Sequence, residues 1–456
     1  MTISFGTDGV RGVANVDLTP EDAFALGRAG SFVLARQESG VRPRIMVGKD
    51  TRLSGDMLEA ALAAGICSTG ADVLTLGVIP TPAVAWLVSK YKASCGVVIS
   101  ASHNPVEDNG IKFFGPDGFK LPDDIEAEIE RTVNEALEIP RPQGVDVGRV
   151  YDVPEALNNY VNHVASLYGL QQDLSALTVA VDCANGAAYQ AGPLLLQQLG
   201  ARVICINDAP NGANINERCG STHPESLKKA VLQYRADLGI AYDGDADRCI
   251  AIDERGEEVD GDRIMVICGL DLKRRGELGP AGVVATVMSN IGLDIAFRRE
   301  NVAVQSCKVG DRYVLEKMQQ SGAILGGEQS GHIIFLQHAT CGDGLLTSMK
   351  VMEAMVRSGL PLSVLAQEME RFPQQLVNLR STRPAAVLEH PAVAQALAEA
   401  QTRLGEFGRL VVRPSGTEPL IRIMAQGPEQ HLVEELIASV SAAVQQAEAE
   451  MDAAQA

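Results

Sequence analysis

The chain has 456 residues, 46% of them apolar and 21% charged, with 44 glycines and 21 prolines. That balance excludes disorder and collagen-like repeats, and at about 150 residues per domain the length predicts three or four domains. Lys and Arg number 39 against 58 Asp and Glu, a formal charge of −19, so the overall field disfavours a nucleic-acid partner and any small anion must be held by local clusters of cations and N–H groups.

In chain order, the first predicted unit has a strand at 44–47, a helix at 56–68 with Leu58, Leu62, Gly65 and Ile66 at helical spacing, and a strand at 71–76. The pattern recurs with strands at 177–181 and 203–206 around a helix near 192–199, and again with a strand at 283–287, a helix from Gly292 and a strand at 302–306. This weak threefold repeat of strand, turn, helix and strand predicts an α/β fold of mixed or parallel sheets covered on both faces. The last section reads differently: a strand at 376–379, a helix at 391–404, strands at 409–412 and 421–425 and a helix from Glu429, with a frayed tail after Met451. The expected domains are 1–150, 151–253 and 254–371, all α/β, and 372–456, a smaller α+β unit. Apolar windows such as 73–88 are broken by Gly77, Pro80 and Pro82, and residues 1–12 lack a basic region followed by an apolar stretch, so the expectation is a cytoplasmic protein without a membrane partner. The nine cysteines show no CxxC spacing and are read as reduced core thiols.

Four segments carry candidate chemistry. After the strand at 96–99, Ser100-Ala-Ser102-His103-Asn104-Pro105 predicts a sharp turn, because Pro105 keeps Asn104 extended and Ser102 then stands at a strand's carboxyl end. Alone, it reads more readily as a surface turn. Downstream, Asn109-Gly110-Ile111-Lys112 reads as a glycine turn that returns Lys112 to the same edge. Next, Asp243, Asp245 and Asp247 alternate between strands at 237–241 and 249–252; three carboxylates so close repel one another unless a hard cation lies between them. Their spacing also matches a calcium EF-hand loop, but Arg248 stands where that loop needs Gly and the flanks read as strands, so magnesium is preferred.

The third segment, Gly326-Gly-Glu328-Gln-Ser330-Gly-His332, offers close backbone approach with donors and acceptors suited to sugar hydroxyls. The fourth, Arg413-Pro-Ser415-Gly416-Thr417-Glu-Pro419 followed by Arg422, forms an anion cradle of backbone N–H groups, hydroxyls and guanidinium, and lacks the Gly-Lys-Ser/Thr ending of a P-loop. Arg11 and Lys308 are further residues able to touch phosphate.

Together these loops describe a phosphoryl-transfer site. In this order they resemble those of the α-D-phosphohexomutase superfamily, through Phe5-Gly-Thr-Asp-Gly-Val-Arg-Gly12, Ile99-Ser-Ala-Ser-His-Asn-Pro105, Lys308-Val-Gly-Asp-Arg-Tyr-Val314 and Gly327-Glu-Gln-Ser-Gly-His332, over a span from Phe5 to about Arg422. Cys307 departs from the hydroxyl-containing or basic residue expected before Lys308. The resemblance implies three related α/β domains and a smaller α+β domain around a central cleft. It implies that Ser102 carries a phosphoryl group, that Asp243, Asp245 and Asp247 hold Mg²⁺ together with a phosphoserine oxygen, and that Glu328 and Ser330 bind sugar hydroxyls. By the same resemblance Arg413, Ser415, Gly416, Thr417 and Arg422 hold the phosphate that is not reacting, while His103, Asn104, Lys112 and Arg248 line the reacting centre. A general base stays unassigned, with His103 and Lys112 as candidates.

The motifs are most similar to those of members acting on amino sugars. They imply conversion of glucosamine 6-phosphate to glucosamine 1-phosphate through a 1,6-bisphosphate, with glucosamine 1,6-bisphosphate or glucose 1,6-bisphosphate as activator, feeding UDP-N-acetylglucosamine and cell-wall precursor synthesis. A phosphosugar is thus the expected partner, and a homodimer is compatible with the resemblance. The rivals are a phosphomannomutase or phosphoglucomutase, a metal-dependent sugar phosphatase, and a catalytically silent sugar-phosphate sensor.

Overall fold

The computed structural model describes residues 3–6, 8–35, 42–414 and 419–453. Its first sheet holds β1 (Val10–Val13), β2 (Arg44–Lys49), β3 (Asp72–Val78), β4 (Cys95–Ile99), β5 (Asp108–Phe114) and β6 (Val150–Asp152), in the order β1-β5-β4-β2-β3-β6. The second holds β7 (Thr178–Asp182), β8 (Arg202–Ile206), β9 (Leu238–Tyr242), β10 (Cys249–Asp253) and β11 (Glu258–Val259), in the order β11-β10-β9-β7-β8. The third holds β12 (Val283–Thr286), β13 (Val304–Cys307), β14 (Leu325–Gly327) and β15 (Ile333–Phe335), in the order β13-β12-β14-β15.

One plan underlies all three. A central strand (β2, β7 or β12) pairs in parallel with the next two in sequence, and the third parallel strand then pairs with an antiparallel one (β4 with β5, β9 with β10, β14 with β15). Central and third strands such as Cys95–Ile99, Leu238–Tyr242 and Val283–Thr286 are buried at every residue, which is why they read as continuous apolar runs rather than alternating ones. The loop from the third parallel strand to its antiparallel neighbour is the Ser102 turn in the first domain, the three-aspartate loop in the second and the Glu328 loop in the third. The repeat therefore places three of the four candidate loops at equivalent carboxyl-end positions, where open α/β sheets take ligands.

The three domains share one apolar core that runs from Met46, Val84 and Val88 through Val179, Ile240 and Tyr242 to Val283, Leu325 and Met352. The last unit is an antiparallel sheet of β16 (Gln374–Arg380), β17 (Arg409–Pro414) and β18 (Leu420–Gln426), ordered β16-β18-β17. Helices Pro391–Leu404 and Gln430–Ala453 cover it with a separate core that includes Val393, Ile421, Ile423, Leu436 and Val440.

Three local expectations change. Asn109 and Gly110 lie within β5 and form no turn; a side chain on Gly110 would stand 2.6 Å from the Ser100 carbonyl oxygen, so the glycine serves close strand approach. The helix expected from 192 begins at Ala188 and carries Pro193 inside it, because packing of Gly192 on the Tyr242 ring outweighs weak local propensity. The final helix runs past Met451 to Ala453. All nine cysteines are free thiols, and no helix of the described residues is long and apolar enough to cross a membrane.

Candidate active site

Ser102 sits at the tip of the β4–β5 turn with only 1% of its surface exposed and a φ of 53°, a left-handed conformation unusual for a residue with a Cβ. Its Oγ donates to Asp243 Oδ2 at 2.6 Å and lies 3.4 Å from His103 Nδ1. Ala246 also has a positive φ, 59°, and this tight backbone turns Asp243, Asp245 and Asp247 to one side, where carboxylate oxygens of all three lie within 4.8 Å of one another. All three residues are buried.

The electrostatics of this trio are unbalanced. Burial and repulsion from Asp247 and Asp245 push the Asp243 carboxyl well above its ordinary range, and burial with Asp245 nearby raises Asp247. For Asp245 burial works in the same upward sense, but the charge and hydrogen bond of Lys112 and the Thr81 hydroxyl together hold the carboxyl low. Asp245 Oδ2 accepts from Lys112 Nζ at 2.9 Å and from Thr81 Oγ1 at 2.7 Å, whereas Asp245 Oδ1 and Asp247 Oδ1 are buried without a hydrogen-bond donor. Converging, partly unpartnered carboxylate oxygens suit a hard divalent cation, so the residues present fit magnesium.

Around the trio the cations are fixed. Lys112 is 2% exposed and pairs with Asp8 at 2.9 Å as well as Asp245; burial opposes its charge, but Asp245 and Asp8 keep it protonated above its ordinary range. Arg248 Nε stands 3.8 Å from both Asp243 and Asp247. His103 is half-buried, and burial together with Arg248 and Arg11 lowers its pKa to about 4. Asn104 turns its side chain to Asp108 at 2.9 Å, within its own loop.

The Glu328 loop meets the aspartate loop through a backbone bridge between Arg248 and His332 and through the Cys249 N–H, which donates to Gly331 O at 3.0 Å. Glu328 Oε1 accepts from the Gly310 N–H at 3.0 Å, and Ser330 is exposed at the tip. Ser102, the three aspartates, Lys112, Arg248 and Glu328 therefore gather from three domains. Arg413 and Arg422 sit apart on the fourth sheet, directly opposite each other across β17 and β18. Ser415, Gly416 and Thr417 lie outside the described residues.

Several contributors escape the sequence reading. Asp8 anchors Lys112 and Lys120, and Lys120 bridges onward to Asp311. His332, 3% exposed, lies 3.8 Å from Asp247 and 3.9 Å from Asp311. Asp8, Asp311 and His332 stand inside the quoted motifs, which was the available signal. Thr81, which donates to Asp245, carried none.

Family models for phosphoglucomutase/phosphomannomutase match all four parts of the chain: alpha/beta/alpha domains I, II and III at 2–139, 158–256 and 260–372, and the C-terminal domain at 376–443. The chain belongs to the phosphoglucomutase/phosphomannomutase family. It is 68% identical over 446 residues to the phosphoglucosamine mutase of Syntrophomonas wolfei subsp. wolfei, covering 98% of this chain and 99% of that one. It is 55% identical to the phosphoglucosamine mutase of Pelotomaculum thermopropionicum, covering 96% and 98%. Among solved structures, a phosphoglucomutase/phosphomannomutase family protein from Burkholderia thailandensis superposes with a TM-score of 0.80 at 23% identity, over 97% of each chain. An Aspergillus fumigatus N-acetylphosphoglucosamine mutase in complex with GlcNAc-6P and magnesium does so with a TM-score of 0.67 at 19% identity, over 98% and 96%.

Proposed function

We infer that the chain interconverts glucosamine 6-phosphate and glucosamine 1-phosphate, with Ser102 carrying the phosphoryl group that is exchanged. The observation that carries the chemistry is the 2.6 Å approach of Ser102 Oγ to Asp243 beside two buried carboxylate oxygens that accept no hydrogen bond. The choice of sugar rests on near-full-length identity to proteins named for that activity.

Asp243, Asp245 and Asp247, with an oxygen of phosphorylated Ser102, are the residues that would hold Mg²⁺. When bound, the ion supplies charge stabilisation to the phosphoryl oxygens. The chain's own cations do the rest. A phosphoserine adds about −1.5 to −2 charges, and like unit charges about 4 Å apart cost roughly 4 kcal/mol at an effective dielectric of 20. Lys112, held protonated, and Arg248 offset this load at the reacting phosphoryl group. In the forward direction the P–Oγ bond of Ser102 breaks as a bond forms to the sugar O1, and the hydroxyl proton departs. His103 is neutral at pH 7 and is the group of the two candidates able to accept that proton, although a loose transition state asks little of a base.

The resulting 1,6-bisphosphate must turn over so that its other phosphoryl group returns to Ser102. Glu328 and Ser330 would hold sugar hydroxyls in either orientation, and Arg413 and Arg422, with Ser415, Gly416 and Thr417, the distal phosphate. Arg413 and Arg422 stand directly opposite each other across β17 and β18, which puts both side chains on one face of the sheet. A bisphosphate sugar, glucosamine 1,6-bisphosphate or glucose 1,6-bisphosphate, would activate the enzyme by loading Ser102. The deciding experiment compares kcat/KM for glucosamine 6-phosphate, glucose 1-phosphate and mannose 1-phosphate with Mg²⁺ and activator. The amino sugar should be strongly preferred. Preference for glucose or mannose phosphate would move the chain to another branch of the family, and phosphate release without isomerisation would overturn the mutase reading.

A further inference from the structure

The Ser102 turn is gripped from behind by two side chains that take no part in the chemistry above. Arg52, wholly buried and paired with Asp50 at 2.9 Å, donates to the carbonyl oxygens of Ser102 at 3.0 Å, Asn104 at 2.8 Å and Asp108 at 3.0 Å, and to that of Pro105. Asn216 comes from the second domain, in the segment between β8 and the helix Glu225–Tyr234. Its Nδ2 donates to the same two oxygens, Ser102 O at 2.8 Å and Asn104 O at 2.9 Å. Each of these two carbonyls thus receives one donor from its own domain and one from the neighbour, which fills both lone pairs.

The consequence for Ser102 is directional. A left-handed residue with a Cβ persists only where its surroundings over-determine it, and the direction of its peptide groups decides where Oγ points. On the N-terminal side the Ser102 N–H donates to Ser100 Oγ at 2.9 Å, which itself donates to Asp50 at 2.6 Å. On the C-terminal side the hold is the pair of carbonyls. The aspartate loop touches the same point: a side chain on Gly244 would collide with Ser102 O and stand 2.9 Å from Asn216 Nδ2. Asn216 therefore sits where the serine turn of one domain meets the aspartate loop of another.

We propose that Asn216 is a positioning residue for phosphoryl transfer, locking the Ser102 turn to the second domain so that Oγ faces Asp243 while the phosphoryl group leaves and returns. This rests on the reading of Ser102 as the phosphorylated residue. Asn216 is itself left-handed, with a φ of 58°, a conformation Asp tolerates as Asn does. Asn216→Asp thus keeps shape and backbone while replacing the N–H donors with oxygens that repel the two carbonyls. Asn216→Ala removes the donors without adding repulsion.

The test uses full-length enzyme loaded with glucose 1,6-bisphosphate, with the phosphate located by peptide mass spectrometry and single-turnover transfer to glucosamine 6-phosphate followed by rapid quench, normalised to the folded, phosphorylated fraction. Displacement of a reacting group by about 1 Å slows a reaction by about 10- to 100-fold, and that loss is expected in kcat and in the single-turnover rate for N216D, with a smaller loss for N216A. KM and the Mg²⁺ half-saturation should stay within about threefold of wild type, the signature of a group acting in the transition state alone. A transfer rate unchanged in both variants, or a loss confined to KM, overturns the proposal. Phosphate mapped to a residue other than Ser102 in the wild-type enzyme overturns the underlying reading instead, whatever the variants do.

Discussion

The three α/β domains and the last domain are joined to each other by different physics. The first three share a continuous apolar core, and their mutual contacts at the site are buried charges and backbone bonds. The fourth keeps its own core and meets the third through a small apolar cluster of Ile291, Ile295 and Phe372 and through polar groups around Gln426, which is fully buried. Gln426 accepts from the Ile291 N–H at 2.7 Å and donates to Ser289 O at 3.2 Å, while Arg409 donates to Ser289 O at 3.0 Å and pairs with Asp294 at 2.5 Å. A net hydrogen bond contributes only about 1 kcal/mol because water can replace it, whereas separating a shared apolar core exposes every buried methylene at about 0.8 kcal/mol each. The groups that need fixed register, Ser102 and the three aspartates, lie in the fused body. The groups that would meet either phosphate of a sugar in two orientations lie on the unit whose attachment is easier to exchange.

Ser102→Ala tests the fused body most sharply. Removing the exchanged nucleophile should lower kcat on the order of 10⁴-fold or more, while calorimetric binding of glucosamine 6-phosphate and the unfolding midpoint stay close to wild type. Retained turnover would remove Ser102 from its assigned role and, with it, the reason for a rigid body.

A smaller effect is expected on the other side. Arg413→Ala or Arg422→Ala removes a charge-assisted contact worth about 1.5–3 kcal/mol, so kcat/KM should fall roughly 10- to 150-fold. The two arginines face each other across β17 and β18. Each variant should show a smaller rise in melting temperature than wild type when sugar phosphate is added. A rise equal to that of wild type would mean that these arginines hold no anion.

What the sequence discloses follows the same division between local and distant causes. Continuous apolar runs such as Leu238–Tyr242 disclose strands buried on both faces, and the helix expected at 391–404 begins at Pro391. Asp243, Asp245 and Asp247 are legible because their mutual repulsion is written in five consecutive residues. Gly110 misleads, because a glycine needed for close approach to Ser100 looks like one needed for a turn. Arg52 and Asn216 are silent, since their partners are carbonyl oxygens 50 and 114 residues away in sequence that leave no pattern of side-chain type. The repeat is visible as strands and helices, but the equivalence of the three loops emerges only once strand order is known.

The joint between body and last domain also holds a titrating group. Asp262 lies in the first turn of the helix Gly261–Arg274 and accepts the Asn290 N–H at 2.7 Å, while Asn290 bonds in turn to Phe372, where the chain crosses to the last domain. Burial, and then the charge of Asp260, raise its pKa to about 7. Because the folded value is raised above the unfolded one, the folded state binds more protons between the two. Its contribution to stability is complete below the unfolded pKa and is lost as pH rises through about 7. A rise of that size corresponds to about 4 kcal/mol at most. Asp262→Asn keeps an oxygen for Asn290 and removes the charge, so the variant should match wild type in urea unfolding near pH 4 and exceed it by about 1–4 kcal/mol at pH 8. Equal stability of the two proteins at pH 8 would show that water reaches this carboxylate, and that the joint is already looser than its buried geometry implies.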